Sequence, residues 1–116
     1  MKVLIVDDDM NILRLYKEEL EEDGYAVVTA SNGKEAMEAF ERETPDIVTL
    51  DIQLPDIDGI KLLRQMKEKR PRMPVIMSTA FDYRDDFSVW ASEAYIVKSA
   101  DLTELKSAIK KLSAKA

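Results

Sequence analysis

Several polar residues in this chain follow directly on short apolar runs. Asp7-Asp8-Asp9 comes after Val3-Leu4-Ile5-Val6, and Asp51 comes after Ile47-Val48-Thr49-Leu50. Thr79 follows Val75-Ile76-Met77-Ser78, and Lys98 follows Ala94-Tyr95-Ile96-Val97. Clustered carboxylates repel one another unless a cation neutralises them. A hard divalent ion such as Mg2+ does this with one or two carboxylates, phosphate oxygens and water. A hydroxyl and an ammonium beside such a centre suit the oxygens of a phosphoryl group. Each residue alone also has a plainer reading. Asp9 is expected to cap a helix, Asp51 can begin a loop, and Asp56, Asp58 and Gly59 read as turn residues. Thr79 can be an ordinary strand hydroxyl, and Lys98 a solvated strand end.

What gives the set weight is the scaffold that would gather it. Strand candidates lie at 3–6, 26–30, 47–50, 75–78 and 94–97. All but the second are nearly continuous apolar runs, as expected of strands covered on both faces. Residues 26–30 are less regular and fit a place nearer an edge. Helical spacing alternates with these runs. Ile12, Tyr16 and Leu20 sit four apart before Gly24, and 34–43 places Ala36, Met37 and Phe40 on one face ahead of Pro45. Residues 60–69 carry Leu62, Leu63 and Met66 ahead of Pro71 and Pro74, and Leu102, Leu105, Ile109 and Leu112 form an apolar stripe with Asp101 as its expected N-cap. Five strands alternating with helices predict an α/β fold, a doubly wound parallel sheet with helices on both faces. Such sheets bind ligands at the carboxyl ends of their strands. The four polar positions above all fall at that edge.

Composition narrows the function further. The 116 residues fit a single domain over 1–116, with 113–116 expected to fray as a tail. With 17 basic against 23 acidic residues the net charge is −6, which argues against direct nucleic-acid binding and against attachment to anionic lipid. The absence of cysteine excludes disulfides and thiolate chemistry, and the absence of histidine excludes a phosphohistidine of its own. Neither a signal peptide nor a membrane-length apolar run is visible, so a cytoplasmic location is expected.

In order along the chain, Leu4-Ile5-Val6-Asp7-Asp8-Asp9, the stretch from Pro45 through Asp51 to Gly59, Pro74-Val75-Ile76-Met77-Ser78-Thr79-Ala80 and Ala94-Tyr95-Ile96-Val97-Lys98 resemble the receiver domain of two-component response regulators. The likeness covers essentially the whole chain and implies a flavodoxin-like strand order of 2-1-3-4-5. By the resemblance, Asp51 is the phosphoacceptor. Asp8, Asp51 and the backbone carbonyl of Gln53 would hold Mg2+, with Asp7 acting mainly through a metal-bound water. Thr79 and Lys98 would stabilise the phosphoryl oxygens, and Thr79 with Tyr95 would form the switch. Gln53 and Phe81 would tune the lifetime of the acyl phosphate. The expected partners are a sensor histidine kinase or a histidine phosphotransfer protein, and a downstream protein or an output domain of a longer regulator.

Two departures from the family pattern stand out. Ser99 occupies the position where the family usually carries a proline after a cis bond. The segment from Thr79 to Lys98 is also shorter than usual, so its helix is expected to be short or irregular. Two rival readings remain. One is a phosphorylation-independent pseudo-receiver that works by contact. The other is a Mg2+-dependent aspartyl-phosphate phosphatase, disfavoured because Gln53 stands where that class needs an acid two residues past its nucleophile.

Overall fold

The computed structural model describes residues 1–79, 94–97 and 102–113. Its five strands are β1 (Lys2–Val6), β2 (Ala26–Ala30), β3 (Ile47–Leu50), β4 (Val75–Thr79) and β5 (Ala94–Val97). They form one sheet in the order β2-β1-β3-β4-β5, with every pairing parallel. The expected strand order is therefore found, and β2, whose pattern was the least regular, is an edge strand.

Alternation along β1, β2, β3 and β4 sends side chains to two separate cores. On one face, Val3, Ile5, Ile47 and Ile76 pack with Leu13, Tyr16 and Leu20 of α1 (Met10–Glu22) and with Leu105 and Ile109 of α4 (Thr103–Ser113). On the other, Leu4, Val6, Val48, Leu50, Val75 and Met77 pack with Ala36, Ala39 and Phe40 of α2 (Gly33–Glu43) and with Leu62, Leu63 and Met66 of α3 (Gly59–Lys69). Complete burial of one such Leu, Phe or Met side chain contributes about 1.5–3 kcal/mol. These two layers cover both faces of the sheet and leave its carboxyl edge open.

Local chemistry sets the helix ends. Asp9 caps α1 by accepting from Asn11 N, as expected. At the far end Gly24 adopts φ +93°, and the Gly24 N–H to Glu21 O and Tyr25 N–H to Leu20 O bonds close a Schellman turn. Asn32 caps α2 while Glu35 accepts from Ser31 N–H and Oγ. Those bonds from Ser31 hold the Glu35 carboxyl below the ordinary range. Lys106 of α4 donates to Glu19 of α1 and lies 3.4 Å from Asp23, joining the two helices of one layer. Both partners are partly exposed, so this pairing orients the helices more than it stabilises them. The C-terminal helix continues through Ser113, whose Oγ donates to Ile109 O at 2.7 Å. The expectations for the crossover helix between Thr79 and Ala94, for Asp101 as a cap and for the Lys98–Ser99 bond lie outside the described residues.

Candidate functional site

The site is built on the carboxyl edge of the two central strands. The ladder runs one residue past each of them, through Asp7 N–H to Ala30 O and Asp51 N–H to Val6 O. Asp7 and Asp51 are thereby fixed side by side, and both are buried, at 2% and 3% exposure. Asp8 is exposed at the start of the next turn. Carboxylate oxygens of Asp7, Asp8 and Asp51 all lie within 4.8 Å of one another. The Asp9 N–H donates to Asp7 Oδ1 at 2.9 Å, and the Gln53 N–H donates to Asp51 Oδ1 at 3.2 Å. Each carboxylate thus turns one oxygen to its own loop, which fixes its rotamer.

The loop after β3 is folded tightly against the acceptor strand. Gln53 and Asp58 form an isolated antiparallel bridge, and Gly59 N–H donates to Ile52 O at 2.7 Å. Asp58 caps α3 through Ile60 N–H at 2.8 Å. A Cβ on Gly59 would stand 2.0 Å from Asp51 O and 2.6 Å from Ile52 Cα, so only glycine lets α3 begin this close to the strand end. The loop tip reaches sideways. Asp56 accepts from Gly33 N–H at 2.8 Å and Lys34 N–H at 3.0 Å, capping α2 from a different part of the chain. Those bonds, that from Gly33 first, hold the Asp56 carboxyl below its ordinary range.

Among the sequence-derived candidates, the structure brings together Asp7, Asp8 and Asp51 and sets Gln53 at the base of the adjoining loop. Thr79 ends β4 at the same edge, in register with Val97 of β5, and Tyr95 pairs in register with Met77. Lys98 and Phe81 lie outside the described residues. Asp56, a turn residue by its sequence setting, also caps α2. The capping contact needs glycine at position 33, the first of α2, where a side chain would strike Ile57 Cγ2 at 2.2 Å.

A set of oxygen donors with two buried carboxylates and one exposed fits a hard divalent cation that retains water, which is the preference of Mg2+. Residues 3–110 match the response regulator receiver domain family. The chain belongs to that family. Receiver domains are phosphorylation switches of two-component signalling and not, in general, enzymes acting on an outside substrate. This receiver domain is 44% identical to the response regulator TrrA of Thermotoga maritima, whose structure in complex with Mg(2+)-BeF superposes with a TM-score of 0.92 over 96% of this chain and 97% of that one. A second TrrA structure, in complex with the histidine kinase ThkA, gives a TM-score of 0.90 over the same shares. The sporulation initiation phosphotransferase F of Bacillus subtilis is 34% identical over 95% of this chain and 91% of its own length. The PhoP regulator of alkaline phosphatase synthesis from the same organism is 42% identical over 85 residues, which is 73% of this chain. The receiver domain spans only 35% of PhoP's length. Among the described residues no helix is long and apolar enough to cross a membrane.

Proposed function

We propose that this receiver domain accepts a phosphoryl group on Asp51 from the phosphohistidine of a partner kinase or phosphotransfer protein, and so switches a signalling surface. The observation that carries the reading is the close grouping of Asp7, Asp8 and Asp51 at the carboxyl edge of β1 and β3. In the transfer, an Asp51 carboxylate oxygen attacks phosphorus. An O–P bond forms as the N–P bond of the donor breaks, and the electron pair returns to the imidazole nitrogen, which takes up a proton from water. Gln53 N–H, bonded to Asp51 Oδ1, orients the nucleophile.

The residues that would hold Mg2+ are Asp8, Asp51 and the Gln53 carbonyl, with Asp7 acting through water. Bound Mg2+ supplies the positive charge that lets an anionic carboxylate approach an anionic phosphoryl group. Thr79 and Lys98 are assigned to the phosphoryl oxygens, Thr79 with Tyr95 to the switch, and Gln53 with Phe81 to the lifetime of the acyl phosphate. The TrrA complexes with Mg(2+)-BeF and with a histidine kinase support both the metal and the class of partner. The reading takes 1–116 as one receiver domain acting in the cytoplasm, with the output supplied by a downstream protein or by a further domain.

The test is intact-mass analysis after incubation with acetyl phosphate and Mg2+. One phosphoryl group is expected on the wild type, and none on Asp51→Asn or in EDTA. An adduct that persists in Asp51→Asn would overturn the assignment.

A further inference from the structure

The loop that carries Gln53 is held at two places. Its base is closed by its own backbone, through the Gln53–Asp58 bridge and the Gly59 N–H to Ile52 O bond. Its tip is held by another element altogether. Both oxygens of Asp56 accept from α2, Oδ1 from Gly33 N–H and Oδ2 from Lys34 N–H, across 23 and 22 residues of sequence. Ile57 closes over Gly33 so tightly that a Cβ there would meet Ile57 Cγ2 at 2.2 Å and Asp56 Oδ1 at 3.2 Å. The α2 helix is in turn anchored in the core by Ala36, Ala39 and Phe40. An exposed tip thus borrows the rigidity of a packed helix.

We infer that Asp56 is a positioning residue for the metal site: by clamping the loop tip to the first turn of α2, it holds the Gln53 carbonyl in place toward the Asp7, Asp8 and Asp51 carboxylates. The inference rests on the proposed Mg2+ site. Groups that stand behind metal ligands typically change affinity by about 10- to 100-fold when removed. A contact acting through three residues of loop belongs at the lower end of that range. Removing Asp56 also removes a negative charge near a cation site, so charge and clamp must be separated. The Gly33 side of the contact allows this, because it can be disturbed without altering any charge.

The experiment is isothermal titration of Mg2+ into the wild type, Asp56→Ala, Asp56→Glu, Gly33→Ala and Gly33→Ala/Ile57→Ala, each checked for folding by circular dichroism. The clamp requires about a tenfold weaker Mg2+ affinity in Asp56→Ala. It requires a clear loss in Asp56→Glu, which keeps the charge but lengthens the arm, and in Gly33→Ala. Trimming Ile57 removes the 2.2 Å clash and leaves only the 3.2 Å approach to Asp56 Oδ1, which a shift of a few tenths of an ångström relieves, so most of the affinity should recover in the double variant. Wild-type affinity in Asp56→Glu together with Gly33→Ala would reduce Asp56 to a charge and overturn the inference. Weakened Gly33→Ala with no recovery in the double variant would overturn it as well. If the wild type binds no Mg2+, the proposed site itself fails, a result distinct from variants that bind as the wild type does. Should Gly33→Ala not fold, Asp56→Glu alone decides between clamp and charge.

Discussion

Replacing Asp8 by asparagine should stabilise the metal-free protein and reverse that order once Mg2+ is added. Carboxylate oxygens of Asp7, Asp8 and Asp51 lie within 4.8 Å of one another, so the Asp8 charge faces two others at that separation or less. Two unit charges this far apart repel by about 0.9 kcal/mol at the dielectric constant of water. Asp8 is exposed, which makes the water value the appropriate one for its pairs. Two pairs give nearly 2 kcal/mol at low ionic strength, and screening over a Debye length of about 8 Å brings this to about 1 kcal/mol at physiological salt. In EDTA, Asp8→Asn should therefore unfold at a higher urea concentration than the wild type, by an amount worth about 1–2 kcal/mol. Mg2+ at a hundred times its Kd adds about 2.7 kcal/mol to the wild type. A variant that binds about 100-fold more weakly, having lost a direct ligand, gains only about 0.4 kcal/mol at that concentration. The wild type should then lead by about 1 kcal/mol. Urea unfolding followed by far-ultraviolet circular dichroism, with EDTA and with Mg2+, reads both values. A variant no more stable than the wild type in EDTA would show that the carboxylates do not strain the metal-free site. An unchanged order in Mg2+ would show that Asp8 does not help to hold the ion.

Gly59→Ala places a Cβ 2.0 Å from Asp51 O, and ordinary contact begins at 3.4 Å, so about 1.4 Å of backbone must move. A loss of about 3 kcal/mol in urea unfolding is expected, and wild-type stability would contradict the close approach. Among the described residues the buried Ser78 Oγ has no hydrogen-bond partner, so Ser78→Ala should raise stability by about 1–2 kcal/mol, whereas a loss would reveal a bond to that hydroxyl. Acid should erode the contribution of Asp56. Its folded pKa lies below the ordinary 3.8, so the stability it adds is fully present above that value and fades as pH falls through the folded one. The thermal midpoint of the wild type should exceed that of Asp56→Asn at pH 7, with the gap narrowing below pH 3.8, and a gap that widens in acid would reverse the sign of the linkage.

Most of the fold was legible because it rests on patterns that repeat locally. Val3–Val6 and Ile47–Leu50 are buried along their whole length, as strands covered on both faces require. The weaker pattern of Ala26–Ala30 placed that strand nearer an edge for the same reason. Asp7, Asp8 and Asp51 could be singled out because strand ends are recognisable, and strand ends of one sheet share an edge. Asp56 was not legible in that way. Its partners are the amides of Gly33 and Lys34, and a cap supplied across more than twenty residues leaves no periodic trace. Ser78 was equally hidden, since a serine in an apolar strand looks the same whether or not its hydroxyl finds a partner.

The central claim is that Asp51 itself carries the phosphoryl group, and the most direct measurement is chemical trapping of that bond. Borohydride reduces an acyl phosphate on aspartate to homoserine, so the phosphorylated protein can be reduced, digested and sequenced by tandem mass spectrometry. Homoserine at position 51, dependent on both Mg2+ and phosphodonor, is the predicted result. Homoserine at Asp7 or Asp8, or a phosphoryl adduct that borohydride leaves untouched, would contradict it.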